Sequence, residues 1–179
     1  MSIILKRVYN IPGKYTEEER EIYENLIDEF RLRVHDDIPA DNILYEKASR
    51  YKDGTIIGLL NAAVNDINIF GIPPTKYSLK QMSTMQCDGL IVLGAMVCMC
   101  VREGLFHAAN QIDFNDSGLS IGMYNKSGIY QGWYGALLNE YVNAKQTFKS
   151  GVIANSYNAG FVGIGTEFSY RFGGPGYSI

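Results

Sequence analysis

Nucleophilic catalysis needs a thiol or hydroxyl held against a base, and this chain offers Cys100 and His107 on one predicted helix. Seven residues apart, they share a helix face but lie about 10 Å apart along the axis, well beyond hydrogen-bond reach. His107 therefore reads as a helix-end or interface histidine. Cys98 and Cys100 point about 200° apart around the same helix, so they cannot chelate one metal ion together. The other histidine, His35, is far in sequence from any cysteine pair, and the three thiols Cys87, Cys98 and Cys100 read as small buried apolar groups.

Asp113, Asn115, Ser117 and Gly118 copy positions one, three, five and six of a calcium-binding helix-loop-helix motif. The twelfth position is Tyr124, where a bidentate glutamate is required, and the next helix is wrongly spaced. Asp113, Asn115, Asp116 and Gly118 are read instead as a structural Asx-type turn. A competing class, a cation-dependent enzyme or sensor using Asp113 and Asp116, rests on this loop alone. Gly160, Gly163 and Gly165 precede neither a helix nor a Lys-Ser/Thr pair, so they make no phosphate loop. Asp36 and Asp37 lie in a connection without aromatic walls and read as a solvated turn, not an acid/base dyad. The expectation is a protein that is not an enzyme, with no catalytic residues, no metal and no cofactor.

The elements that carry these residues are mainly helical. The 179 residues favour one soluble domain with a sizeable core, 46% of them being hydrophobic and 20% charged. A formal charge of -3 gives no drive toward nucleic acid or an acidic membrane surface. The 13 tyrosines suit half-buried surfaces where a ring packs and its hydroxyl stays wet. The odd number of cysteines, and an opening Met-Ser-Ile-Ile-Leu without the pattern of a cleaved signal, point to synthesis in a reducing cytoplasm. The longest apolar run, Gly89 to Val101, falls short of the roughly 20 residues that cross a bilayer, so no membrane role is expected.

An apolar arm over 1–15, broken at Pro12-Gly13, precedes a helical core over 16–149. Thr16 and Glu19 predict a capping box, and Ile22, Leu26, Phe30 and Val34 predict the inward stripe of the first helix. The second helix is predicted to be capped by Asp53 and to bury Ile56, Leu60, Ala63 or Val64, and Ile67, ending at Gly71. Tyr77 to Met82 reads as an extended link. A third helix is expected from about Thr84 to Asn110, and a hairpin or extended loop follows the Asp113–Gly118 turn. The fourth helix spans about Lys126 to Lys149, with Ile129, Trp133, Leu137, Tyr141, Ala144 and Phe148 facing inward. Gly128, Gly132 and Gly135 are expected to admit a neighbouring backbone.

Beyond Ser150 charge nearly vanishes, and residues 150–179 read as a glycine- and aromatic-rich extended or β-like arm. Val162, Ile164, Phe168, Tyr170 and Phe172 share one face of a period-two pattern. With Phe161 they form a candidate assembly arm whose edge partner is the N-terminal arm or a neighbouring subunit.

The stretch Ile56 to Leu79, with Leu-Leu-Asn-Ala-Ala-Val-Asn-Asp-Ile-Asn and then Pro-Pro-Thr-Lys-Tyr-Ser-Leu, is familiar together with Asp113 to Tyr141. The second reads Asp-Phe-Asn-Asp-Ser-Gly-Leu-Ser, followed by a helix carrying Tyr130, Trp133 and Glu140-Tyr141. Both resemble tailed-bacteriophage virion proteins of the head-tail connector (adaptor or neck) group, over roughly Gly54 to Lys149. The resemblance implies a structural subunit, made in the host cytoplasm and carried in the virion, that forms a homo-oligomeric ring. Its implied partners are portal protein and tail or neck proteins, with DNA in the ring lumen contacted without specific recognition. A collar, tail-terminator or baseplate-adaptor role follows from the same physics. The glycine-rich carboxyl end is outside the resemblance.

Overall fold

The structure, a computed structural model, describes residues 9–38, 49–72, 74–109, 114–116, 119–121 and 126–172; for 114–121, 126 and 155–172 only the backbone is described. It is mainly helical: α1 (Glu17–Arg33), α2 (Asp53–Ile69), α3 (Leu79–Thr84), α4 (Asp88–Ala109) and α5 (Lys126–Phe172), with β1 (Phe114–Asp116) and β2 (Leu119–Ile121) between the last two helices.

The start of α1 is the capping box that its sequence predicts. Thr16 Oγ1 accepts from the Glu19 amide at 3.3 Å, and Glu19 Oε2 accepts from the Thr16 amide at 2.9 Å. Leu26 and Phe30 are buried as expected, together with Tyr23, Ile27 and Arg31. Ahead of α1, Ile11 is buried, and the Asn10 amide donates to Asp53 Oδ2 at 2.9 Å. These two contacts dock the described end of the N-terminal segment on the core.

In α2 all the predicted inward residues are buried, Ile56, Leu60, Ala63, Val64 and Ile67. The cap is different. Lys52 occupies the N-cap without a side-chain hydrogen bond, and Asp53 is the first helical residue, its carboxylate drawn away by Arg31 and the Asn10 amide. Where an extended link was expected, Ser78 and Gln81 form a second capping box and start α3, which buries Leu79 and Met82. Gln86 then adopts a left-handed φ of 58°, and this bend separates α3 from α4. The two helices replace the single start predicted near Thr84.

Ile91 to Ala95, Val97, Met99 and Cys100 of α4 are buried, and α4 packs against α1, α2 and α5. At 22 residues α4 is long and apolar enough to cross a bilayer by length and composition alone, although Gly89 to Val101 is not. In this fold its first half is the core helix. β1 and β2 pair antiparallel, Phe114 with Ile121, Asn115 with Ser120 and Asp116 with Leu119, so of the hairpin or extended loop expected here the structure has the hairpin.

The inward face of α5 matches the predicted one only in part. Tyr141 is buried as expected, but so are Ser127, Tyr130, Lys145 and Lys149, whereas Ile129 and Trp133 are about half exposed, at 52% and 53%. Leu137, Ala144 and Phe148 are half-buried. Gly128, Gly132 and Gly135 admit no close neighbour among the described residues; a Cβ at each would have nothing within 4 Å. The close approach is at Gly94 of α4, where a Cβ would lie 2.7 Å from the Tyr141 hydroxyl. The α5 backbone continues as helix to Phe172, where the period-two pattern predicts an extended arm. A strand without a partner edge leaves its amides and carbonyls unpaired, while a helix pairs them within the segment. Residues 173–179 and 1–8 lie outside the described residues.

Candidate functional site

Three polar clusters tie the helices together, and their chemistry defines what this surface offers. In the first, the buried Arg31 guanidinium donates to Asp36 Oδ2 at 2.6 Å, the Tyr51 carbonyl at 2.6 Å and Asp53 Oδ1 at 2.7 Å. Asp36 also accepts from the Arg50 and Tyr51 amides, at 2.6 and 3.2 Å. The expected solvated Asp36-Asp37 turn is corrected here: Asp36 is 2% exposed and anchors the connection between α1 and α2. The left-handed His35, with φ of 55°, turns the chain so that Asp36 meets Arg31.

In the second cluster Lys145 Nζ lies 2.6 Å from Asp66 Oδ2, which also accepts from the Tyr141 hydroxyl at 2.8 Å. The ammonium sits 4.4 Å from the ring centroids of both Phe70 and Tyr141. Burial, and then the bond to the Asp66 carboxylate, push the Tyr141 phenol far above its ordinary range. Lys149 donates to the Asn68 carbonyl and to Thr75 Oγ1, and burial lowers its pKa. Both lysines are used to fasten α5 to the end of α2.

The third cluster reaches the surface. Arg50 donates to Glu103 Oε2 at 2.9 Å and to the Tyr130 hydroxyl. His107 stacks on Tyr130 with centroids 5.4 Å apart and planes 8° apart, and its Nε2 is 4.0 Å from Glu103 Oε2. Phe106 and Trp133 meet this pair edge-on, extending one chain of rings from α4 to α5. Around it Val101, Leu105, Phe106, Ile129 and Trp133 are exposed. A groove of about 340 Å³ opens beside Trp133, floored by Met96, Met99 and Cys100 and bordered by His35, Arg50 and Leu137.

Burial pushes the Cys100 thiol up, so the one thiol on the groove floor is a poor nucleophile at neutral pH. His107 is engaged by Tyr130 and Glu103. Cys98 lies on another side of α4, where burial and then the charge of Asp66 raise its pKa. Among the described residues, no three of His, Cys, Asp and Glu are placed to hold a metal ion. Of the Asx-turn residues, Asn115 and Asp116 are in β1, while Asp113 and Gly118 lie outside the described residues. Phe161, Val162, Ile164, Phe168, Tyr170 and Phe172 fall on the α5 backbone.

The sequence reading missed Arg31, Asp36, Lys145 and Lys149 as buried ties. Only Arg31 carried a signal, as a charged residue within the apolar repeat of α1. Compared with family models, curated proteins and solved structures, the chain matches none.

Proposed function

We propose that this chain is a structural virion subunit of a tailed bacteriophage, a head-tail connector of the adaptor or neck type that forms a homo-oligomeric ring between portal and tail. The observation that carries the reading is the exposed apolar end of α4 and α5, where Val101, Leu105, Phe106, Ile129 and Trp133 stand in solvent. A surface of this kind on an otherwise well-packed domain marks a protein contact. The sequence resemblance supplies the assembly to which the contact belongs.

In this reading the long helices form the domain core, the ends of the chain reach neighbouring subunits, and no reaction is catalysed. The segment from Ser150 onward, with Phe161, Val162, Ile164, Phe168, Tyr170 and Phe172, serves as the assembly arm. Its backbone is paired as helix within one chain, so joining an edge offered by another requires that helix to unwind.

Native mass spectrometry of the purified chain over a concentration series tests the proposal. The expected result is one dominant closed oligomer of identical copies. A chain that remains monomeric throughout, with no discrete higher species, contradicts it.

A further inference from the structure

Ordinary surface helices bury apolar residues and expose charged ones. In α1, five of the seven exposed residues are charged: Glu17, Glu18, Glu21, Asp28 and Arg33. The helix α5 still buries apolar residues such as Tyr130 and Tyr141, but its exposed side, which includes Gln131, Asn139, Asn143 and Gln146, is almost without charge. Between Ser127 and Ala154 its two lysines, Lys145 and Lys149, are buried against α2 and the following loop. Fifteen residues of the same stretch are exposed, and only Glu140 among them is charged. The exposed set includes Ile129, Trp133, Ala136 and Ala154, with Gly128, Gly132, Gly135 and Gly151 between them.

From these observations we infer that the outer face of α5, Gly128 to Ala154, with Val101 and Leu105 of α4 at its margin, is the surface on which a second copy of this chain packs, helix against helix. The inference rests on the reading of the chain as a homo-oligomer subunit and names the face that reading requires.

Three features select a second copy as the occupant. The first is size: a standard interface takes about 20–30 residues a side. The face presents seventeen exposed residues before half-buried neighbours such as Tyr134 and Val142 are included. The second is charge. A face with one carboxylate over this length offers nothing to a charged partner such as the acidic outer face of α1, whereas an equally uncharged face meets it without leaving ions unpaired. The matching surface on the page is the face itself.

The third is continuity across the two helices. A Cβ at Gly104 would sit 3.7 Å from the Tyr130 Cβ, so α4 and α5 are in close contact there, and Val101 and Leu105 extend the apolar area at that end. The glycines then take a role that nothing within the described chain gives them. Each weakens a helix by about 1 kcal/mol relative to alanine. Without side chains they allow a partner helix to approach at the short end of the 8–10 Å packing range.

Sedimentation velocity of the wild-type chain, Gly132→Glu and Ile72→Glu over a concentration series tests the inference. Gly132 has open space around it, so the glutamate is accommodated in the free chain, and circular dichroism reports an intact fold. Ile72, 90% exposed in the loop just beyond α2, is the control apolar site. The expected result is that the wild type and Ile72→Glu associate alike, while Gly132→Glu raises the dissociation constant by about 100-fold or more through a buried unpaired carboxylate. If the wild type associates and Gly132→Glu associates equally, the face is wrong and the subunit reading stands. If Ile72→Glu alone dissociates, the contact lies at the α2 end and the inference is overturned. A wild type that never associates removes both.

Discussion

Replacing Gly94 with alanine puts a methyl group where the structure has no room. The new Cβ would be 2.7 Å from the Tyr141 hydroxyl and 2.8 Å from Cε2 and Cζ of the same ring. That is about 0.7 Å inside the roughly 3.5 Å at which carbon contacts become favourable. Tyr141 cannot yield without loss, because it is 2% exposed and its hydroxyl donates to Asp66. Overpacking costs about 1–3 kcal/mol and weakening the bond to a charged acceptor about 1.5, against a gain of about 1 from helix propensity. The net expectation is a loss of about 1.5–3.5 kcal/mol, which lowers Tm by roughly 3–14 °C in a chain of this size. Urea unfolding followed by circular dichroism gives the value. In a Tyr141→Leu background the clashing atoms are gone, and the same alanine should then stabilise by about 1 kcal/mol. A neutral or stabilising Gly94→Ala in the wild type, or an equal penalty in both backgrounds, refutes the reasoning.

Arg31→Met should cost about 3–5 kcal/mol in urea unfolding, because it leaves Asp36 and Asp53 without their shared cation. Arg31→Lys should restore little, since one ammonium does not reproduce a planar fork reaching three acceptors. Burial and then the Tyr15 hydrogen bond push the Tyr23 phenol up to about 12. The folded state therefore favours its neutral form, a stabilisation that is complete below pH 10 and lost between about 10 and 12. The urea midpoint should fall across that window, and fall less steeply in Tyr23→Phe. Cys100, 2% exposed with its thiol pKa raised by burial, should react with a bulky disulfide reagent only on unfolding, later than Cys87 and Cys98.

What the sequence made legible was local. Thr16 and Glu19 are three residues apart, and the repeat Ile56, Leu60, Ala63, Ile67 lies within one helix, so spacing alone placed α1 and the inward face of α2. Ser78 and Gln81 carry the same capping signal, but six residues of helix have no readable period, so the stretch read as an extended link. The face of α5 was misread because aromatic and aliphatic residues were weighed inward and lysines outward. Lys145 is drawn in by Asp66, 79 positions away, and Lys149 by Asn68 and Thr75, 81 and 74 positions away. No local pattern reports such partners. Asp36 eluded the reading for a related reason, since its pairing with Arg31 depends on a left-handed residue at His35. The groove beside Trp133 was also hidden, because its walls come from four separated stretches around 33–35, 50–51, 96–100 and 133–137.

The proposal that the chain joins head to tail in a phage particle is tested most directly by removing its gene from a phage genome that carries it. A nonsense mutation in its gene, examined by electron microscopy of lysates, should leave separate heads and tails that fail to join, with joining restored when the chain is supplied in trans. Complete, infectious particles formed without the chain would contradict the account.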